Sequence, residues 1–191
     1  MARLLLATRN AHKLREFGRL AGPVSIDALP DDVILPPEDG ATFAENALGK
    51  ARAAAGATGR VAIADDSGIE ATALDGRPGI RSARYAGEHA SDGENLAKLL
   101  REAPAGSPLA YVCALAYVDP ASGEEHIFEE RCTGTLAAAP RGEGGFGYDP
   151  AFLPDDGAPD RTMAELSDAE KDAISHRGLA VRALLAWLPE D

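Results

Sequence analysis

Short apolar runs alternate with helix-period segments along this chain, and that alternation leaves few architectures open. Arg3-Leu-Leu-Leu-Ala-Thr8 has the pattern of a short buried strand, and Ala11 to Leu20 follows with Leu14 and Phe17 on one helical face. Val24 to Leu29 is a second candidate strand, and Pro36-Pro37 with Gly40 marks a loop. Thr42-Phe-Ala-Glu45 has capping-box spacing and opens an alanine-rich helix ending near Gly56. Val61 to Ala64 predicts a strand that stops at Asp65-Asp66-Ser67-Gly68. Ile69 to Leu74 predicts another, closed by Asp75-Gly76. Ser91-Asp-Gly-Glu94 caps a helix to about Glu102. Leu109 to Val118 and Glu125 to Leu136 predict a hairpin through Pro120 to Gly123. A glycine-rich loop spans Pro140 to Pro150, and a terminal helix covers Arg177 to Leu188. Ser167 to His176 fits helix or loop. Interleaved strands and helices with a late hairpin predict an α/β fold with a mixed sheet.

Composition narrows the functional classes. A length of 191 residues predicts one domain, residues 1–191, of one or two lobes. The net charge of −12 excludes a global electrostatic footprint for nucleic acid or an anionic membrane. No apolar run approaches the roughly 18 residues of a membrane span, and Leu4 to Ala7 is too short for a signal-peptide core. The expectation is a cytoplasmic protein with Cys113 and Cys132 as buried free thiols. The chain has 38 alanines and 15 arginines but only four lysines: Lys13, Lys50, Lys98 and Lys171. Lysine is the unusual cation here, so each one merits attention.

Five segments could carry chemistry. In Thr8-Arg9-Asn10-Ala11-His12-Lys13 a strand runs into a helix N-terminus, whose open N–H groups and dipole suit an anion. The plainer alternative is that Asn10 is only an N-cap and Lys13 is solvated. Glu45, Asn46 and Lys50 gather near a helix start and fit a metal-phosphate site or an ordinary solvated helix. Asp65-Asp66-Ser67-Gly68 sets two acids after an apolar strand, where α/β sheets place their sites. Neighbouring side chains in extended chain point oppositely, so one aspartate should face a cleft and the other a second contact. A free carboxylate there could bind Mg²⁺ or take a proton from water, or the motif could be an Asx-turn. Gly142-Glu-Gly-Gly-Phe-Gly-Tyr-Asp-Pro150 contains G-x-G-x-x-G, but proline follows where a dinucleotide fold needs a helix. It reads instead as a loop presenting Phe146 and Tyr148, for a base or for packing. Lys171-Asp-Ala-Ile-Ser-His176-Arg177-Gly178 concentrates cations in an acidic chain, as a cap or a nucleotide clamp. Three of the four lysines fall in these segments, and Lys98 reads as the ordinary surface case. P-loop, Nudix, nucleophile-elbow and zinc-ligand patterns are absent from the sequence.

Six segments together resemble the inosine triphosphate pyrophosphatase family, which includes bacterial dITP/XTP pyrophosphatases. They are Ala7 to Lys13, Thr42 to Ala47, Ala64 to Gly68, Pro78 to Tyr85, Gly144 to Pro150 and Ala173 to Gly178. They come in family order across essentially the whole chain; Arg9 and His12 stand where such proteins often have glycine. The resemblance implies an elongated mixed sheet with flanking helices in two lobes around a cleft, and a homodimer. It implies an enzyme that cuts deaminated purine nucleoside triphosphates (dITP, ITP, XTP) between the α and β phosphates, with Mg²⁺, to the monophosphate and pyrophosphate. By that resemblance, residues 8–13, Lys50, Ser67 and Lys171 hold phosphates and sugar. Phe146, Gly147, Tyr148 and Asp149, with His176 and Arg177, hold the base. Glu45 and Asp66 ligate Mg²⁺, and Asp66 is the proton acceptor. The rivals are a related pyrophosphatase for modified pyrimidine nucleotides and a non-catalytic nucleotide-binding regulator.

Overall fold

The structure, a computed structural model, describes residues 3–157 and 160–189. Its elements begin with β1 (Arg3–Leu6), α1 (Ala11–Leu20), β2 (Ser25–Ala28), α2 (Phe43–Thr58) and β3 (Ala62–Ala71). They continue with α3 (Asp92–Glu102), β4 (Pro108–Asp119), β5 (Glu124–Leu136), β6 (Phe152–Pro154), α4 (Asp168–Ile174) and α5 (His176–Trp187). The six strands form one sheet in the order β2-β1-β3-β4-β5-β6. β1 runs parallel to β2 and β3, whereas β5 and β6 are antiparallel, so the sheet is mixed as expected. Among the described residues no helix is long and apolar enough to cross a membrane.

The chain divides into two compact units. One comprises residues 1–66, 113–130 and 179–191; the other comprises 67–112 and 131–178. Each has its own apolar core. The first is built on Leu4, Leu6, Phe17, Ile63, Leu115, Val181 and Leu184. The second is built on Ile69, Leu74, Leu99, Leu109, Leu136, Phe152 and Met163. Cys113 and Cys132 are free and buried, as the sequence predicts. Burial pushes the Cys132 thiol up to about 12, which keeps it protonated and unreactive.

Local signals place several boundaries. Asn10 caps α1, Ser91–Glu94 and Ser167–Glu170 form complete capping boxes, and the latter settles 168–174 as helix. The alanine-rich helix ends at Thr58, close to the expected Gly56, with Gly59 in the left-handed conformation as its cap. Two expectations on β3 fail. Asp65-Asp66-Ser67-Gly68 is not the end of a strand: β3 runs through it without a break. β1 pairs only with Ala62 and Ile63, and the strand is carried past Asp65-Asp66-Ser67-Gly68 by its onward run to Ala71, with Ile69 and Ala71 buried in the second core. The residues after the expected second strand, Thr72–Leu74, form a 3-10 turn.

Candidate active site

The first cluster forms around the middle of β3. Asp65 and Asp66 are both buried, at 1% and 6% exposure. Consecutive residues of an extended strand leave it on opposite sides, and the two side chains meet different helices. Lys13, in the first turn of α1, brings Nζ to 2.9 Å from Asp65 Oδ2. Asn46, in the first turn of α2, donates Nδ2 to Asp66 Oδ2 at 2.9 Å. Lys50, one turn further along α2, donates Nζ to the Asp65 carbonyl at 2.8 Å and to the Glu38 carboxylate. Burial disfavours the Lys50 charge, but Asp65, Glu38 and Asp66 outweigh it and hold its pKa above the usual lysine value. Burial raises the Asp66 pKa, with Glu38 adding to the rise; Lys50, Asn46 and Lys13 oppose it. Glu38, Asp65 and Asp66 thus gather around the ammonium groups of Lys13 and Lys50.

Residues 8–13 divide into one side chain aimed at this cluster and several that build the turn. Asn10 Oδ1 accepts from the N–H groups of His12 and Lys13, at 2.8 and 3.3 Å, and Thr8 Oγ1 accepts from Asn10 N–H at 3.1 Å. Most donors expected to be open for an anion are therefore engaged by the cap itself. Ala11 is the first helical residue, and His12 Nδ1 pairs with Arg15 at 2.9 Å. Arg9 wraps a different partner: its guanidinium donates to the carbonyls of Leu29, Pro30, Asp31 and Val33 at 2.7–3.2 Å. Lys13 reaches Asp65.

Glu45 does not close the box with its own cap. Thr42 Oγ1 accepts from Glu45 N–H at 3.1 Å, but Glu45 Oε2 accepts from Ala41 N–H at 2.7 Å. Among the described residues no three His, Cys, Asp or Glu side chains converge as a full metal cage. The donors nevertheless fit a hard cation. Mg²⁺ takes one or two carboxylates and completes its shell with water and phosphate oxygens. Asp66 offers such oxygens, and Glu45 precedes Asn46, whose amide touches the Asp66 carboxylate.

The second cluster lies in the other unit and centres on Asp149. This carboxylate is 3% exposed. Its Oδ2 accepts from Lys171 Nζ at 2.7 Å and from Phe146 N–H at 3.0 Å, and its Oδ1 accepts from Tyr111 Oη at 3.0 Å. The glycines of the loop make this possible: Gly145 has φ +69°, and a Cβ there would lie 2.0 Å from Asp149 Oδ2. The Gly147 N–H is held by Asp92 at 2.9 Å, and Tyr148 donates its hydroxyl to the Ser82 carbonyl at 2.7 Å. Lys171 Nζ and the Arg177 guanidinium sit over the Phe146 ring, 5.1 and 5.7 Å from its centroid. Arg177 also donates to Ser67 Oγ at 2.9 Å, and His176 stacks on Tyr111 with centroids 4.6 Å apart.

The sequence-derived candidates thus fall into two sets. Lys13, Lys50 and Asp66 meet around β3; Ser67, Phe146, Asp149, Lys171, His176 and Arg177 meet in the second unit. Tyr148 points its hydroxyl into structure rather than outward. Lys98 departs from the simple surface reading: it donates to the Tyr85 carbonyl at 2.7 Å and covers that ring at 4.3 Å. Sequence reasoning missed Glu38, Tyr111 and Asp92. Glu38 sits in a loop with no periodic signal, and Tyr111 reads as one more apolar strand residue. Asp92 reads only as a first-turn helix acid.

Comparison with known proteins places this geometry. Residues 4–187 match the model of the Ham1 family. A dITP/XTP pyrophosphatase of Mycolicibacterium paratuberculosis is 50% identical, over 98% of this chain and 96% of its own. A dITP/XTP pyrophosphatase of Geobacillus kaustophilus is 48% identical, over 96% and 93%. The structure of a HAM1 protein from Coxiella burnetii superimposes with a TM-score of 0.84 at 38% identity, covering 97% of this chain and 98% of that one. A nucleoside-triphosphatase / dITP/XTP pyrophosphatase from Mycobacterium abscessus gives 0.72 at 44% identity, covering 98% and 100%. The chain belongs to the Ham1 family.

Proposed function

We propose that the protein hydrolyses deaminated purine nucleoside triphosphates (dITP, ITP and XTP) at the α–β bond, releasing the monophosphate and pyrophosphate. The observation that carries this reading is the near-full-length match, at up to 50% identity, to relatives named for that activity. The chemistry of the two clusters supports it. The β3 cluster offers carboxylate oxygens; the Asp149 cluster presents cations and an aromatic ring.

In this reading Glu45 and Asp66 hold Mg²⁺, which when bound neutralises phosphate charge and acidifies a water. Asp66 accepts the proton of the attacking water. Lys13 and Lys50, fixed on Asp65, stabilise charge that develops on the leaving pyrophosphate without moving to meet it. Thr8, Arg9, Asn10, Ala11 and His12 shape the phosphate turn, and Ser67 and Lys171 contact the sugar and phosphates. Phe146, Gly147, Tyr148 and Asp149, with His176 and Arg177, form the base site. A donor there that meets the 6-oxo group of hypoxanthine or xanthine is left opposed by the 6-amino group of adenine, so adenine is rejected. The two lobes form one catalytic domain over residues 1–191, as a cytoplasmic homodimer; light scattering on the purified protein checks the dimer.

Pyrophosphate release from dITP, XTP, dGTP and dATP, with and without Mg²⁺, tests the function. Rapid release from dITP and XTP alone, abolished by chelator, is expected. Equal turnover of all four, or none of any, overturns the reading.

A further inference from the structure

The Asp66 carboxylate is held from one side by Asn46, and the surroundings of that amide fix which way round it lies. Asn46 is 5% exposed. One end of its side chain meets the Gly40 N–H, 2.8 Å from Oδ1; the other meets Asp66 Oδ2, 2.9 Å from Nδ2. A backbone N–H can only donate, so the oxygen must face Gly40 and the NH₂ group must face the carboxylate. A flipped amide would oppose donor to donor at Gly40 and acceptor to acceptor at Asp66. The fit at Gly40 is close: a Cβ there would lie 2.7 Å from Asn46 Oδ1 and 2.9 Å from Glu45 Cβ.

We propose that Asn46, anchored by the Gly40 N–H, is a positioning residue that holds the Asp66 carboxylate in its working orientation. It acts through Asp66 rather than on substrate. The inference rests on the hydrolase reading given above. An aspartate at 46 could still accept from Gly40, but it would lose the donor and set carboxylate against carboxylate. A working geometry displaced by about 1 Å costs on the order of 10²-fold in rate.

Steady-state turnover of dITP by the wild type, Asn46→Ala and Asn46→Asp tests this, with a melting curve for each. Asn46→Ala should lower kcat about 10²-fold with KM changed less than about threefold. Asn46→Asp should fail to rescue. Retained kcat in Asn46→Ala or Asn46→Asp overturns the proposal. A second readout needs neither turnover nor a stable Asn46 variant. In ¹⁵N-labelled wild type the Asn46 side-chain amide protons should shift on Asp66→Ala and hold still on Glu125→Gln; no shift on Asp66→Ala overturns the proposal. Absent dITP turnover in the wild type sinks the hydrolase reading, while the amide spectrum still decides whether Asn46 holds Asp66.

Discussion

The β3 cluster and the Asp149 cluster are both buried and both ionic, yet they are built differently. Around β3, Glu38, Asp65 and Asp66 gather around Lys13 and Lys50. Around Asp149, a single buried carboxylate faces Lys171, with Arg177 beside the same aromatic ring. In the proposed function the first arrangement would take a cation, and the second a purine base. The pairing also differs. Asp149 accepts from three donors, including the Lys171 ammonium, and the Asp66 carboxylate accepts from the Asn46 amide. One acid is built into the structure, and the other is held ready at a cost in burial.

Substituting each acid by its amide is the largest test of that contrast. Asp66→Asn should lower turnover by about 10²–10⁴-fold, the range of a positioned acid–base group. Its melting temperature should hold or rise. The folded pKa of Asp66 is raised, so its contribution to stability is present at low pH and lost as pH climbs through that pKa. At neutral pH the amide removes a disfavoured charge. Asp149→Asn should instead destabilise by about 3–5 kcal/mol, because it strands the buried Lys171 ammonium. Denaturant titration beside kcat separates the two; a stable Asp149→Asn or a destabilised Asp66→Asn breaks the comparison.

A smaller effect separates the lysines. Lys13→Ala and Lys171→Ala should each weaken triphosphate binding, seen as a raised KM, and should also lower stability, because each takes the ammonium from a buried aspartate. Lys98→Ala should leave KM alone and cost about 1 kcal/mol of stability, the usual value of the single hydrogen bond to the Tyr85 carbonyl. A KM effect at Lys98 as large as at the other two would remove the distinction between site and structural lysines.

The smallest effect lies at the start of α4, which carries Lys171. Arg161 and the Ser167 cap hold the Glu170 carboxyl down at about 2. A depressed carboxyl stabilises above its unfolded pKa, and that contribution is lost as pH falls through the folded one. Glu170→Gln should therefore melt lower than the wild type at pH 6, with the gap closing between about pH 4.5 and pH 2. A constant gap across that window would show that the ion pair contributes nothing.

The sequence by itself determined the features whose causes are local. Asn10, Ser91 and Ser167 cap helices because their side chains reach N–H groups two or three residues away. The hairpin of β4 and β5 follows from an apolar run, a four-residue turn and a second run with strand character. The chemistry-bearing side chains were also legible by type: acids after an apolar run, and lysines in an arginine-rich chain. Tertiary structure decided what those residues touch. Asp65-Asp66-Ser67-Gly68 reads as the end of a strand, but β3 continues through it to Ala71. Arg9 reads as a phosphate ligand, but four carbonyls some twenty residues away take its guanidinium. The contacts of the two clusters depend on Glu38 and Tyr111 arriving from distant segments. Such partners are chosen by packing across the fold, and no spacing within a short window encodes them.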